Sequence, residues 1–211
     1  MYNMSTWTVA DRPYHHGNLK HALVTAALAA VEKGGAENVS LRDLSARLGV
    51  SRMAAYRHFA DKDDLLASVA ALGFEKLCDR YEAALAGPSD GRARLRAVVC
   101  ACFDMGAKRP GLYRLMFASD FLKRHPPPAV LAAPATRAYA LLRKAVEGAY
   151  PDADERRAKA ATMVLLSLCQ GYLTLRAAGR FKPFMVEPMT FEEGEAAVLE
   201  AAVNCGESWP N

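Results

Sequence analysis

The chain has 211 residues, 52% of them hydrophobic and 24% charged, enough for one large or two small domains with an ordinary polar surface. Its longest uncharged run, between Lys159 and Arg176, falls short of the roughly 20 apolar residues that span a bilayer. The N-terminus shows no basic start followed by an apolar core, so the expectation is no membrane partner and a cytoplasmic location.

Apolar spacing is helical nearly throughout, with no alternating strand pattern and no internal repeat. Leu19, Leu23, Ala27, Ala30 and Val31 form the stripe of a first helix that Gly34-Gly35 can end. Ser40 precedes "LRDLSARL", a good N-cap ahead of a two-turn helix closed by Gly49. Ser51 can cap a second short helix, Arg52 to about His58, and Asp61 a much longer third that carries Leu65, Leu66, Val69, Leu72, Leu77, Tyr81 and Leu85. "GPSDG" (Gly87 to Gly91) interrupts the chain. "RARLRAVVCACFDMGAKR" then reads as a helix stopped by Pro110, which can itself begin the next. "HPPPAVLAAP" reads as a rigid connector, followed by a helix to about Tyr150. A long apolar helix is expected from Asp154 to Gly179, "RFKPFMVEPM" as irregular chain, and a last helix from Phe191 to Asn204. The expected fold is all-α with about nine helices.

The two short helices joined by a Gly-containing turn carry the signature of a helix-turn-helix, about residues 40–59. Charge gathers here. Ser40 to Lys62 holds Arg42, Arg47, Arg52, Arg57 and Lys62 against Asp43 and Asp61. At 100° per residue, Ala55 and Phe59 share a core face of the second helix, while Met53, Ala54 and Arg57 lie opposite and Tyr56 and His58 flank. That division suits a helix in a DNA major groove. Arg57 or Arg52 can pair with guanine, and Met53 and Ala54 allow close approach to a thymine methyl. Tyr56 and His58 reach phosphates, which fix position without reading sequence. Lys62 stands in the first turn of the next helix, where the dipole disfavours a cation unless an anion joins it.

From "YHHGNLKHALVTAALAAVEKGGAENVSLRDLSARLGVSRMAAYRHFADKDDLLASVA" the chain closely resembles the N-terminal domain of the tetracycline-repressor (TetR) family. Ala27, Gly34, Ser40, Leu44, Ala46, Gly49, Val50, Tyr56, His58, Phe59, Lys62 and Leu65-Leu66 carry the pattern, over about Tyr14 to Val69. Ala55 departs from it, standing where leucine is common. The resemblance implies a three-helix DNA-binding domain (15–75) joined by a long helix to a helical ligand-binding and dimerisation domain (76–211). It implies a homodimeric regulator, a repressor released from a palindromic operator when a small apolar effector enters. By the same analogy Ser40, Ser51, Tyr56, His58 and Lys62 contact phosphates of double-stranded operator DNA, Arg52, Met53, Ala54 and Arg57 contact bases, and "HHGN" (His15 to Asn18) reaches the backbone as an arm. "RPGLYRLMFASDF" resembles one branch of the family, which often carries Trp-x-x-x-His-Gly where this chain has Leu166, Gln170 and Gly171.

In the second half, Cys100, Phe103, Tyr113, Met116, Phe117, Phe121, Tyr139, Met163 and Tyr172 read as a soft, aromatic-rich interior. An effector pocket is expected among Phe103, Tyr113, Phe117, Phe121 and Met163, with Ser167 and Gln170 as its polar members. The last two helices are apolar on more than one face and need another surface to cover them: a four-helix interface between two copies, which agrees with the family, or a central place in the monomer. No GxSxG, HExxH, P-loop or dinucleotide fingerprint occurs, so neither an enzyme nor a cofactor is expected. The five cysteines form no CxxC and read as buried hydrophobes rather than metal ligands. Two alternatives stay open: a helix-turn-helix protein that takes no ligand, and a cysteine-based redox sensor.

Overall fold

Side-chain caps explain why the first helices begin where they do. In the computed structural model, which describes residues 19–119 and 128–206, α1 (Leu19–Gly34) buries Leu19, Leu23, Val24, Ala27 and Val31. It ends where Gly35 turns to a φ of 87°, and a short 3-10 turn follows at Ala36–Asn38. Ser40 accepts the Asp43 N–H at 3.3 Å to start α2 (Leu41–Arg47). Ser51 accepts the Ala54 N–H at 3.2 Å to start α3 (Arg52–Tyr56). Asp61 accepts the Asp64 N–H at 2.8 Å to start α4 (Lys62–Ala86). Each cap satisfies one of the donors that a helix start leaves without an internal partner.

The second half begins with α5 (Gly91–Lys108), capped by Asp90, and α6 (Pro110–Ala118), whose first residue is the expected proline. Then come α7 (Ala129–Ala149), α8 (Glu155–Ala177) capped by Asp154, the single turn α9 (Pro183–Val186), and α10 (Phe191–Val203). Thr190 and Glu193 close a reciprocal capping box on α10. The described residues therefore hold ten α-helices and no strand, an all-α fold as expected. α4 is the axis. It packs on α1 and α6, and along the rest of its length on α5 and α7. One continuous core runs from Leu19 and Leu23 through Leu65, Leu77 and Leu95 to Leu165 and Val203.

Three differences from the sequence reading have local causes. The connector is shorter than expected, because α7 already begins at Ala129 and runs through Pro134. A proline there forfeits one helix hydrogen bond, which the burial of Leu131 and Ala138 in the core offsets. "RFKPFMVEPM" contains the turn α9 rather than none. Finally, α8 does reach the length and composition of a membrane span. Its Ala158, Ala161, Leu165, Cys169, Tyr172 and Leu173 are buried against the rest of the chain, while Met163 and Leu175 on its other side are exposed.

Candidate nucleic-acid interface

α3 and the three residues after it divide largely along the expected faces, except that Ala54, expected opposite the core, packs partly against it, and the helix itself ends at Tyr56 rather than about His58. Ala55 and Phe59 are fully buried, and the Lys20 ammonium sits 5.9 Å from the Phe59 ring centre, covering it from α1. Met53 is 69% exposed and Tyr56 45%. Arg52 and Arg57 are exposed, while Ala54 and His58 are half-buried at the edges. Gly49 turns the chain between α2 and α3 with a φ of 68°, a left-handed conformation that glycine adopts without a Cβ penalty. Leu41, Leu44 and Ser45 hold α2 to the core, so α3 sits on a fixed base with its polar side outward.

Ser40 and Ser51 use their oxygens as acceptors in the caps. A hydroxyl that accepts can still donate, which leaves both O–H groups suited to a phosphate oxygen. Lys62 differs. Its ammonium donates to the Glu37 carbonyl at 2.7 Å, and Asp63 and Asp64 accompany it in the first turn of α4. Asp64 also accepts the Ala60 N–H at 3.1 Å. The cation at this helix start therefore already has acidic neighbours and a carbonyl partner, and no anion is needed to explain it. Nothing in the sequence pointed to Glu37, because a backbone carbonyl has no residue signature. The arm at His15 to Asn18 lies outside the described residues.

The pocket residues expected in the second half do not all meet. Phe103 and Tyr113 are buried and Phe117 half-buried, with the Tyr113 and Phe117 rings 4.8 Å apart and Phe74 5.2 Å from Phe117. Phe103 stacks on Tyr172 at 5.5 Å instead. Met163 is 68% exposed. Ser167 is also exposed, its hydroxyl donating to the Met163 carbonyl at 2.8 Å. These two point away from the interior, because α8 turns Thr162, Leu165 and Cys169 inward and so must turn positions 163 and 167 outward. Gln170 is half-buried, and Phe121 lies outside the described residues. Tyr139 and Cys100, also expected inside, are exposed.

A cavity of about 80 Å³ lies between α6 and α8, bounded by Tyr113, Phe117, Leu173 and Thr174 with Arg114 at its rim. Beside it, the Tyr113 hydroxyl meets the Cys102 thiol at 3.9 Å, and the Tyr81 hydroxyl lies near the same thiol. Burial pushes the Tyr81, Tyr113, Cys102 and Cys169 groups above their ordinary values, so all four stay neutral. Cys78 and Cys205 are raised by burial as well. A thiolate is the reactive form, and these sites disfavour it. Among the described residues, no group of three or more His, Cys, Asp or Glu is placed to hold a metal.

Two joints tie the halves together. Gly111, at the start of α6, comes so near α1 that a Cβ there would stand 2.6 Å from the Val31 carbonyl oxygen. Arg109 reaches Glu32 at 3.5 Å in the same place, where burial raises the Glu32 carboxyl above its usual value despite the arginine.

Comparison with known proteins places this arrangement. The chain spans about half the length of the curated relatives it matches: it is 33% identical to a nucleoid occlusion factor SlmA from Escherichia coli over 107 residues, covering 48% of this chain and 54% of the relative. A solved protein of unknown function from Rhodococcus sp. RHA1 is 28% identical, with a TM-score of 0.74, over 93% of this chain and 97% of that one. The TetR-family transcriptional regulator PfmR from Thermus thermophilus shares the fold at a TM-score of 0.59 and 24% identity, over 87% and 97% of the two chains. Residues 23–69 match the family described as bacterial regulatory proteins, tetR family. Residues 95–199 match the tetracyclin repressor-like C-terminal domain. With both halves matched to the corresponding parts of one family, the chain belongs to the TetR family of DNA-binding transcriptional regulators.

Proposed function

We propose that the protein is a ligand-responsive repressor in the cytoplasm that binds a palindromic operator as a homodimer and leaves it when a small apolar effector enters. The observation that carries this reading is the division of α3, with Ala55 and Phe59 locked into the core and Met53, Tyr56, Arg52 and Arg57 turned outward. In this reading residues 15–75 are the DNA-binding domain and 76–211 the ligand-binding and dimerisation domain. Arg52, Met53, Ala54 and Arg57 face bases, and Ser40, Ser51, Tyr56, His58 and Lys62 face phosphates. Lys62 then exchanges the Glu37 carbonyl for a stronger, charged partner.

Dimerisation rests on the outward stripe of α8. Met163, Ser167, Gly171 and Thr174 are all exposed at helical spacing, and on α10 Ala196, Ala197 and Ala201 are exposed too. Two copies of each helix, packed as four, cover these faces. A five-residue reading helix contacts too few base pairs for operator affinity, so two act on half-sites related by symmetry. Effector binding beside Tyr113 shifts α6, and the Gly111–Val31 contact passes that shift to α1 and the reading head.

Selection of bound fragments from genomic DNA, followed by titration at several salt concentrations, tests the first part. A palindromic motif with strong preference over random DNA supports it; equal binding to all sequences overturns it. The second reading is a DNA-binding protein that takes no ligand, favoured by the similarity to SlmA, whose name is that of a nucleoid occlusion factor. Motif-specific binding that no cell metabolite extract relieves selects that alternative.

A further inference from the structure

Four helices bring a protic but uncharged group to one buried place. Tyr81 comes from α4, Cys102 from α5, Tyr113 from α6 and Cys169 from α8, each no more than 6% exposed. Two phenols lie by one thiol there, and the Tyr113 contact is long, at 3.9 Å. Sulfur is a weak acceptor, whereas a buried hydroxyl ordinarily finds a strong one. The cluster is therefore hydrogen-bonded but poorly so, and a ligand oxygen that accepts from Tyr113 improves on the thiol. Tyr113 also belongs to the wall of the neighbouring cavity, where Phe117, Ala118, Leu173 and Ala177 are apolar and Thr174 and Arg114 are the other polar members.

We propose, resting on the ligand-responsive reading above, that the effector is a neutral molecule with an apolar body and one hydrogen-bond-accepting oxygen, seated between α6 and α8 with that oxygen on the Tyr113 hydroxyl. An anionic head is disfavoured inside. The groups that act on the Tyr81 and Tyr113 hydroxyls are thiols and a neighbouring phenol rather than cations, and burying a carboxylate without a partner charge costs far more than burying a carbonyl. Arg114 is at the rim and exposed, where water already solvates its charge. The cavity of about 80 Å³ is smaller than the roughly 150 Å³ that holds a benzene ring. A ring-sized ligand must therefore move Phe117 and α6 as it enters, which couples occupancy to the α6–α1 joint.

Acetophenone and benzoate have the same number of heavy atoms and differ in charge, so they separate the classes. Ligand-observed NMR titration of the full-length protein is expected to show saturable millimolar binding of acetophenone, with benzoate at least tenfold weaker. In Tyr113→Phe, which keeps the ring, acetophenone binding is expected to weaken about fivefold to tenfold, the effect of one lost hydrogen bond. Equal or tighter binding of benzoate, no saturable binding of acetophenone, or an unchanged affinity in Tyr113→Phe overturns the inference. Operator retention, measured in parallel, separates the two layers. Acetophenone bound through Tyr113 on an intact operator complex keeps this inference and removes ligand-driven release. Release by benzoate keeps ligand-driven release and removes this inference. If Tyr113→Phe does not fold, the acetophenone–benzoate comparison in the wild type decides alone.

Discussion

The Lys62 ammonium donates to the Glu37 carbonyl at 2.7 Å, tying the first turn of α4 to the 3-10 turn that follows α1. Lys62→Ala is expected to weaken binding to every DNA sequence alike and to lower the slope of log K against log salt by about one unit per subunit contact. Loss of the carbonyl bond is expected to lower folding stability by about 0.5–1.5 kcal/mol. Tyr56→Phe should also weaken binding without changing sequence preference. An unchanged salt slope takes Lys62 out of the interface.

Arg57 is exposed at the C-terminal end of α3, and removing it should act on specificity. Arg57→Ala is expected to relax preference at one operator position by about 1–3 kcal/mol, the loss of a bidentate base contact. The measurement is competitive selection of DNA by mutant and wild type. An identical selected motif would falsify the assignment of Arg57 to a base.

Gly111 and Gly148 make a matched pair. A Cβ at Gly111 meets backbone, 2.6 Å from the Val31 oxygen and 3.2 Å from the Glu32 Cα, whereas one at Gly148 meets nothing within 4 Å. Gly111→Ala must push α6 from α1 and is expected to cost about 1–3 kcal/mol. Gly148→Ala, inside α7, is expected to gain about 0.5–1 kcal/mol from helix propensity. Urea unfolding midpoints of the two variants check both signs.

Met163 is 68% exposed on α8, so a charge there leaves the monomer core intact. Met163→Glu is expected to halve the mass seen by light scattering at micromolar concentration and to remove tight operator binding, while the thermal midpoint of the secondary structure moves little. A wild-type mass near 22.9 kDa with full operator affinity sinks the dimer and any mechanism that depends on head spacing.

Cys100 is exposed, while Cys78, Cys102 and Cys169 are buried, with their thiols pushed up by burial. Iodoacetamide at neutral pH is expected to modify Cys100 first and the three buried thiols only as the protein unfolds. Mass spectrometry of tryptic peptides over time follows each site. Fast native-state alkylation of Cys102 or Cys169 revives the redox-sensor alternative.

The sequence by itself determined the reading unit, because its signals are local. Caps at Ser40, Ser51 and Asp61, the left-handed glycine at Gly49 and the 100° spacing that separates Ala55 and Phe59 from Arg57 all act within a few residues. The start of α6 at Pro110 and the capped start of α8 were legible for the same reason. Tertiary structure alone decided which polar and apolar residues of the second half meet. Met163, Tyr139 and Cys100 have the composition of core yet face outward, since an apolar helix covered on several sides gives no periodicity that marks one face as inner. Tyr81, Cys102, Tyr113 and Cys169 converge from four helices, and Lys62 finds a carbonyl 25 residues away. Such partners are chosen by how helices cross, and the spacing of residues along one helix carries no record of that.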